Sequence, residues 1–195
     1  MKNKILKIIV SILIVILVII CVLFIVSEIF FYQFIVVGSS MEPTLKEGYV
    51  GYACKVKFAS INRNDIIIYS RKNSSEEYEV IKRVVGLPNE HIIIDKQGQI
   101  YINDEKLDES SYLGTSYSPY TYSGSYIDIT LGENEYFTLG DNRGNSIDAR
   151  YYGPISKSDI KGKVKLIYKY ASCGDDKTCD GSSNYSTRLI AWKLF

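Results

Sequence analysis

Tyr78-Glu79-Val80-Ile81-Lys82-Arg83-Val84-Val85 alternates with a period of two and reads as a β-strand. In that alternation Lys82 shares a face with Val80 and Val84. A lysine on an apolar face belongs either to a sheet edge or to a site that uses it. Gly86-Leu87-Pro88-Asn89 ends the strand. Upstream, Asn62-Arg63-Asn64-Asp65 is a turn, Ile66 to Tyr69 a β-rich run, and Ser70 to Glu77 a polar loop. Tyr49 to Tyr52 reads as a short strand. Downstream, His91 to Asp95 and Ile100 to Ile102 form a hairpin about Lys96-Gln97-Gly98-Gln99, and Asn103-Asp104 is a second turn. Ile127 to Leu131, Glu135 to Leu139 and Lys163 to Tyr170 are further strands. From about 110 to 126 the chain is a Tyr/Ser-rich surface loop, and the tail with Trp192 and Phe195 is short and amphipathic. These elements predict a mostly β domain.

The N-terminal segment is different. Ile8 to Val26 holds one polar residue, Ser11, and no charge. As a helix it spans about 28 Å, the thickness of a bilayer core. The run exceeds the apolar part of a signal peptide, and no small-x-small site follows it, so a retained anchor is expected. Ile29 to Val37 is too short for a second span and reads as a strand or an interfacial segment. Lys2, Lys4 and Lys7 precede the span, and from Glu28 to Glu47 the only basic residue is Lys46. The positive-inside rule then places residues 1–7 in the cytoplasm, 8–26 in the membrane and 27–195 outside the cell membrane. Beyond the first 27 residues there are 20 basic and 22 acidic side chains, net −2, which offers no basic stripe for nucleic acid. With a single His, no metal site is expected, and no cofactor. Cys173 and Cys179 are placed to form a short disulfide loop.

Gly38-Ser39-Ser40-Met41-Glu42-Pro43-Thr44-Leu45 is a Gly-led bend with two hydroxyls. A serine nucleophile needs a base within reach. His91 starts a strand after a turn and reads as an ordinary strand-end residue. Lys82 is the other base available, provided apolar burial keeps it neutral.

Four blocks together resemble the type I signal peptidases of bacteria. They are Gly38 to Leu45, Asn64-Asp65-Ile66-Ile67, Lys82-Arg83-Val84-Val85-Gly86-Leu87-Pro88, and Gly140-Asp141-Asn142-Arg143-Gly144-Asn145-Ser146-Ile147-Asp148-Ala149-Arg150, in family order behind an anchor. The resemblance implies an antiparallel, signal-peptidase-like β fold, with Ser40 as nucleophile and Lys82 as general base. It implies that Ser146 orients the lysine, that Met41 shapes the pocket, and that Asp141, Arg143, Asp148 and Arg150 brace the site. Gly38 is similar to the residue of Gram-positive members, where some others carry a Ser for the oxyanion. The oxyanion hole then rests mainly on backbone N–H, chiefly that of Ser40, with a second donor unassigned; Gly38, Ser39 and Met41 are the residues expected around it. Asn89-Glu90, Asn64 and Ala149 depart from the family pattern without touching the dyad. The spacing between the lysine block and Gly140 is short, so the extra β domain of larger members is expected to be absent or small. The implied activity is removal of signal peptides from preproteins at Ala-x-Ala-like sites, by a monomer whose partners are those substrates and membrane lipid. Two alternatives stand beside it: a protease of the same kind with one dedicated substrate, and an anchored, non-catalytic binding protein on the same fold.

Overall fold

The computed structural model describes residues 2–72, 76–113, 126–170 and 189–194. Most of the Tyr/Ser-rich loop, including Tyr117, Tyr120 and Tyr122, lies outside the described residues, as do Cys173, Cys179 and Phe195. The chain divides into two compact units, Met1–Tyr32 and Gln33–Phe195.

The first unit is helix α1 (Lys2–Phe30). Its Ile, Leu and Val side chains are exposed all round. A helix apolar on every face calls for an apolar solvent, and Lys4–Phe30 is long and apolar enough to cross a membrane. The expected span, 8–26, lies inside it.

The described strands are β1 (Phe31–Ile35), β2 (Val50–Lys55), β3 (Ile66–Lys72), β4 (Glu77–Gly86), β5 (His91–Ile94), β6 (Ile100–Ile102), β7 (Glu105–Lys106), β8 (Ile127–Thr130), β9 (Glu135–Leu139), β10 (Ile155–Ser156), β11 (Ile160–Tyr170) and β12 (Leu189–Leu194). Single-turn helices α2 (Ser110–Leu113) and α3 (Ala149–Tyr152) interrupt them. One sheet runs β1-β2-β11-β3-β4-β9-β10, with β12 beside β11; a smaller one runs β7-β6-β5-β8. The ladders from β2 to β10 are antiparallel. The smaller sheet is the hairpin expected at 91–102 with β7 and β8 added to it, and it occupies the short span before Gly140.

Apolar side chains account for this arrangement. Val85 on β4 and Phe137 and Leu139 on β9 pack with Ile92, Ile94, Ile100 and Ile102 of the smaller sheet. A second cluster joins Ile67 and Tyr69 of β3, Val84 of β4, Tyr136 and Ile155. Burial pushes the Tyr69 hydroxyl pKa up to about 12.

The polar run Ser70–Glu77 departs from expectation. β3 continues to Lys72 and β4 already begins at Glu77, with Ser70 opposite Glu79, Arg71 opposite Tyr78 and Lys72 opposite Glu77. Opposite charges facing each other across a ladder favour pairing; polarity here marks a solvated hairpin end, not the end of the strands. Ile29–Val37 divides between α1 and β1. The tail forms β12, antiparallel to β11.

The pairing of β4 sets up the site. β3 covers it from Glu77 to Arg83, whereas β9 joins the other side only from Arg83 onward. Among the described residues, the backbone from Glu77 to Lys82 therefore has no strand on that side, and the open edge ends at the lysine.

Candidate active site

Ser40 sits in the turn after β1. Gly38 takes a left-handed φ of +81° at the entrance, a conformation that costs glycine little. The turn is closed by Glu42 N–H donating to Ser39 O at 3.1 Å and Leu45 N–H to Met41 O at 2.9 Å. Met41 and Leu45 are fully buried and anchor it. Two asparagines of the 140–146 segment hold it from the side. Asn142 N–H donates to Ser40 O at 3.0 Å. Asn142 Nδ2 donates to Ser39 O at 3.1 Å, and Asn145 Nδ2 to Ser39 Oγ at 2.9 Å. The Ser39 hydroxyl is thus engaged by Asn145, while the Ser40 hydroxyl meets Lys82.

Lys82 Nζ lies 2.8 Å from Ser40 Oγ and donates to Ile81 O at 2.9 Å. The side chain is only 4% exposed. Its cross-strand neighbour is Ile67, and Val84 follows on the same face. Burial among these residues pulls the amine pKa from 10.5 down to about 8, against the opposing pull of the Asp148 and Asp141 carboxylates.

Those carboxylates are committed elsewhere. Asp141 takes a bidentate pair from Arg83, Nε to Oδ1 at 2.8 Å and Nη2 to Oδ2 at 2.7 Å, and a bond from Thr44 Oγ1 at 2.5 Å. Arg83 also donates to Asn64 O at 2.8 Å and lies 4.2 Å from the centre of the Tyr112 ring. Asp148 accepts from Arg150 Nε at 2.8 Å and Nη2 at 2.9 Å, and from Gly140 N at 2.9 Å. Arg143 pairs with Glu109, through Nη1 to Oε2 at 2.9 Å and Nη2 to Oε1, and its Nε donates to Gly140 O at 3.0 Å. The Tyr112 hydroxyl donates to Glu109 at 2.5 Å, and burial with Glu109 alongside raises its pKa. Each carboxylate has a guanidinium, so the network supports the turn without charging the Ser40–Lys82 contact directly.

Gly140 explains how close the two segments come. A Cβ there would lie 2.2 Å from Ser146 Oγ and 2.5 Å from Ser40 O. Ser146 is therefore beside the Ser40 turn, but its hydroxyl is buried without a hydrogen-bond partner. The bond from Ser146 to Lys82 that the family resemblance implies is not formed in this geometry; Ile81 O takes a donor of the lysine instead.

The structure thus gathers Ser39, Ser40, Met41, Lys82, Asp141, Arg143, Ser146, Asp148 and Arg150 around the middle of β4, where its open edge ends. Asp141 and Arg143 are neighbours in sequence yet pair with Arg83 and Glu109, whereas Asp148 and Arg150 pair with each other. Arg83, Thr44, Gly140, Asn142 and Asn145 all lie within the four blocks, and the resemblance gives them no role. Glu109 had no local signal. His91 lies in the smaller sheet with Nε2 2.8 Å from Asp128 Oδ1. A groove of about 660 Å3 runs from the Ser40–Lys82 end between residues 34–39 and the open edge of β4 at 78–82.

The chain is similar to known proteins of one family. Residues 7–169 match the family model of signal peptidase, peptidase S26. The chain is 36% identical over 153 residues to signal peptidase I U of Bacillus subtilis, covering 74% of this chain and 79% of the relative. It is 31% identical over 189 residues to signal peptidase IB of Staphylococcus aureus, covering 86% and 91%. A crystal structure of a signal peptidase I from Enterococcus faecalis superposes with a TM-score of 0.43 at 29% identity, covering 54% of this chain and 97% of that one. On the family match and the identity to these relatives, the chain belongs to the signal peptidase family, peptidase S26.

Proposed function

We propose that this membrane-anchored signal peptidase removes N-terminal signal peptides from exported preproteins through a Ser40–Lys82 dyad. The single observation that carries the dyad is the 2.8 Å contact between Lys82 Nζ and Ser40 Oγ, made by a lysine whose burial lowers its pKa to about 8. Once the amine is neutral, the contact runs the other way, with the Ser40 hydroxyl donating to the Nζ lone pair. Oγ attacks the carbonyl carbon before the cleavage point as its proton passes to Nζ. The tetrahedral intermediate then collapses, the C–N bond breaks, and the leaving amine takes that proton from Lys82. Water attacks the acyl-serine, giving a proton to Lys82; the acyl C–Oγ bond then breaks, and Ser40 Oγ takes that proton back from Nζ, restoring the serine.

The negative oxygen of the intermediate needs fixed donors, each worth about 3 kcal/mol in serine hydrolases. The Ser40 backbone N–H is the first, and the Gly38–Ser39 backbone forms the wall beside it. Met41, buried at the groove, shapes the space for the residue before the cut. The preprotein lies extended along the open edge of β4 and offers small side chains, Ala-x-Ala-like, to shallow pockets. Ser146 supports the lysine, and Asp141, Arg143, Asp148 and Arg150 hold the turn. In this reading the N-terminus is cytoplasmic and the β domain faces the exported chain. Tethering enzyme and substrate to one surface raises their effective concentration.

Cleavage of a preprotein by membranes carrying Ser40→Ala, Lys82→Ala or His91→Ala tests the dyad. The first two lose at least about 10³-fold in rate, as dyad members acting as a unit do, and His91→Ala keeps it. A Lys82→Ala protein that cleaves normally would sink the assignment.

A further inference from the structure

The groove has a far end with its own chemistry. Arg71 lines it and sits on β3 opposite Tyr78, four positions along from Ile67, the cross-strand partner of Lys82. At the rise of a strand that is about 13 Å from the reacting lysine. The Arg71 guanidinium is stacked 3.7 Å from the centre of the Tyr152 ring. Its Nε is buried without a hydrogen-bond partner. Nothing in the dyad mechanism uses it.

A buried N–H without an acceptor is a standing cost, and one in a native site calls for an explanation. Stacking on Tyr152 fixes the guanidinium plane and removes water from one face, and with Nε enclosed the Nη groups are the donors left for a carboxylate in the groove. An extended chain on the open edge of β4, with its scissile carbonyl at Ser40, brings the residue about four to six positions away to this point. Glu79 also lines the groove, but its side chain is exposed, and its field is screened by water and salt. Glu77 and Lys72 are exposed at the hairpin end, with Glu77 3.6 Å from Lys161. The half-buried, stacked guanidinium sets the sign of the local preference.

We propose that Arg71 is a specificity-determining residue that favours preproteins with an acidic side chain about four to six residues before the cleavage point and disfavours those with lysine there. The proposal rests on the reading of this groove as the site for the signal-peptide side of the substrate.

The test uses the full-length protein in membranes and two matched preproteins that differ only by Glu or Lys at the fifth residue before the cut, cleaved in competition. Wild type favours the Glu form by about fivefold, the scale of a partly exposed ion pair. In Arg71→Gln the ratio falls to about one, and in Arg71→Glu it inverts. The difference lies in KM, because the contact is made alike in the ground and transition states. A merely structural role for Arg71 would slow both preproteins equally and leave the ratio unchanged. Competitive binding of the same pair to Ser40→Ala protein gives the ratio without turnover. A wild-type ratio of one, or a ratio identical in all three proteins, overturns the proposal. Cleavage that survives Ser40→Ala instead overturns the dyad, and the binding ratio still judges Arg71.

Discussion

Two lysines of this protein stand in one cross-strand row, with Ile67 between them: Lys82 on β4 and Lys163 on β11. They are buried almost equally, 4% and 8% exposed. Their surroundings are opposite. Lys163 faces the Asp65 carboxylate at 2.7 Å and donates to Ser60 O at 3.4 Å. Lys82 faces a hydroxyl and a carbonyl, and the nearby carboxylates are already held by Arg83 and Arg150. A buried lysine with its own carboxylate is a paired structural charge. The same residue without one must bear its desolvation, and its proton becomes easy to remove. Placement of the acids, not burial, separates the ion-paired lysine from the one that meets the serine hydroxyl.

Three experiments test that contrast. The largest effect is on the stability of Lys82→Met. At neutral pH Lys82 is mostly charged in the folded protein and bears a desolvation penalty that methionine lacks. The variant should therefore be more stable by about 3 kcal/mol, the size of the shift from 10.5 to about 8, while being inactive. The sign follows from the lowered pKa: between about pH 8 and 10.5 the unfolded chain binds more protons than the folded one. Wild type thus gains on the variant as pH rises through that window, and the gap closes above it. Denaturant midpoints of both proteins at pH 7 and pH 10.5 check this; a gap that does not narrow would refute it.

Next comes Asp65→Asn, which leaves Lys163 buried without its carboxylate. Full burial would make such a loss 3–5 kcal/mol, but the Asp65 side chain is 17% exposed, so about 2 kcal/mol is expected. Adding Lys163→Met should recover most of it in the same unfolding measurement. The smallest effect is on the pH profile. kcat/KM should rise about tenfold per unit below Lys82's pKa and level off above about 8, because only the neutral amine accepts the Ser40 proton. Asp65→Asn should leave the midpoint in place. A midpoint that moves with Asp65 would mean that the two lysines share one electrostatic site.

Much of this was readable along the chain. The apolar run of α1, the alternation that makes β4, and the hairpin of β5 and β6 are local patterns, written in side chains a few positions apart. Lys82 was visible because it broke an apolar face, and Ser40 because it sat in a bend next to blocks of recognisable type. At Ser70–Glu77 the polar pattern points to a loop where β3 and β4 are paired, since a paired but solvated hairpin end is as polar as a loop. Glu109 left no trace, because its partner Arg143 is 34 residues away.

Local side-chain pattern alone marks an apolar helix ahead of a β domain, and the residue types a serine–lysine site needs. The partners come from the fold. Arg83 rather than Arg143 neutralises Asp141; Gly140 lets Ser146 and the Ser40 turn close on each other; Arg71 ends stacked on Tyr152 in the groove. Backbone periodicity is set by neighbours along the chain, whereas the partner of a buried charge is whatever the sheet ladders bring within about 3 Å. In this fold that selection leaves one buried lysine with a carboxylate and the other with a serine.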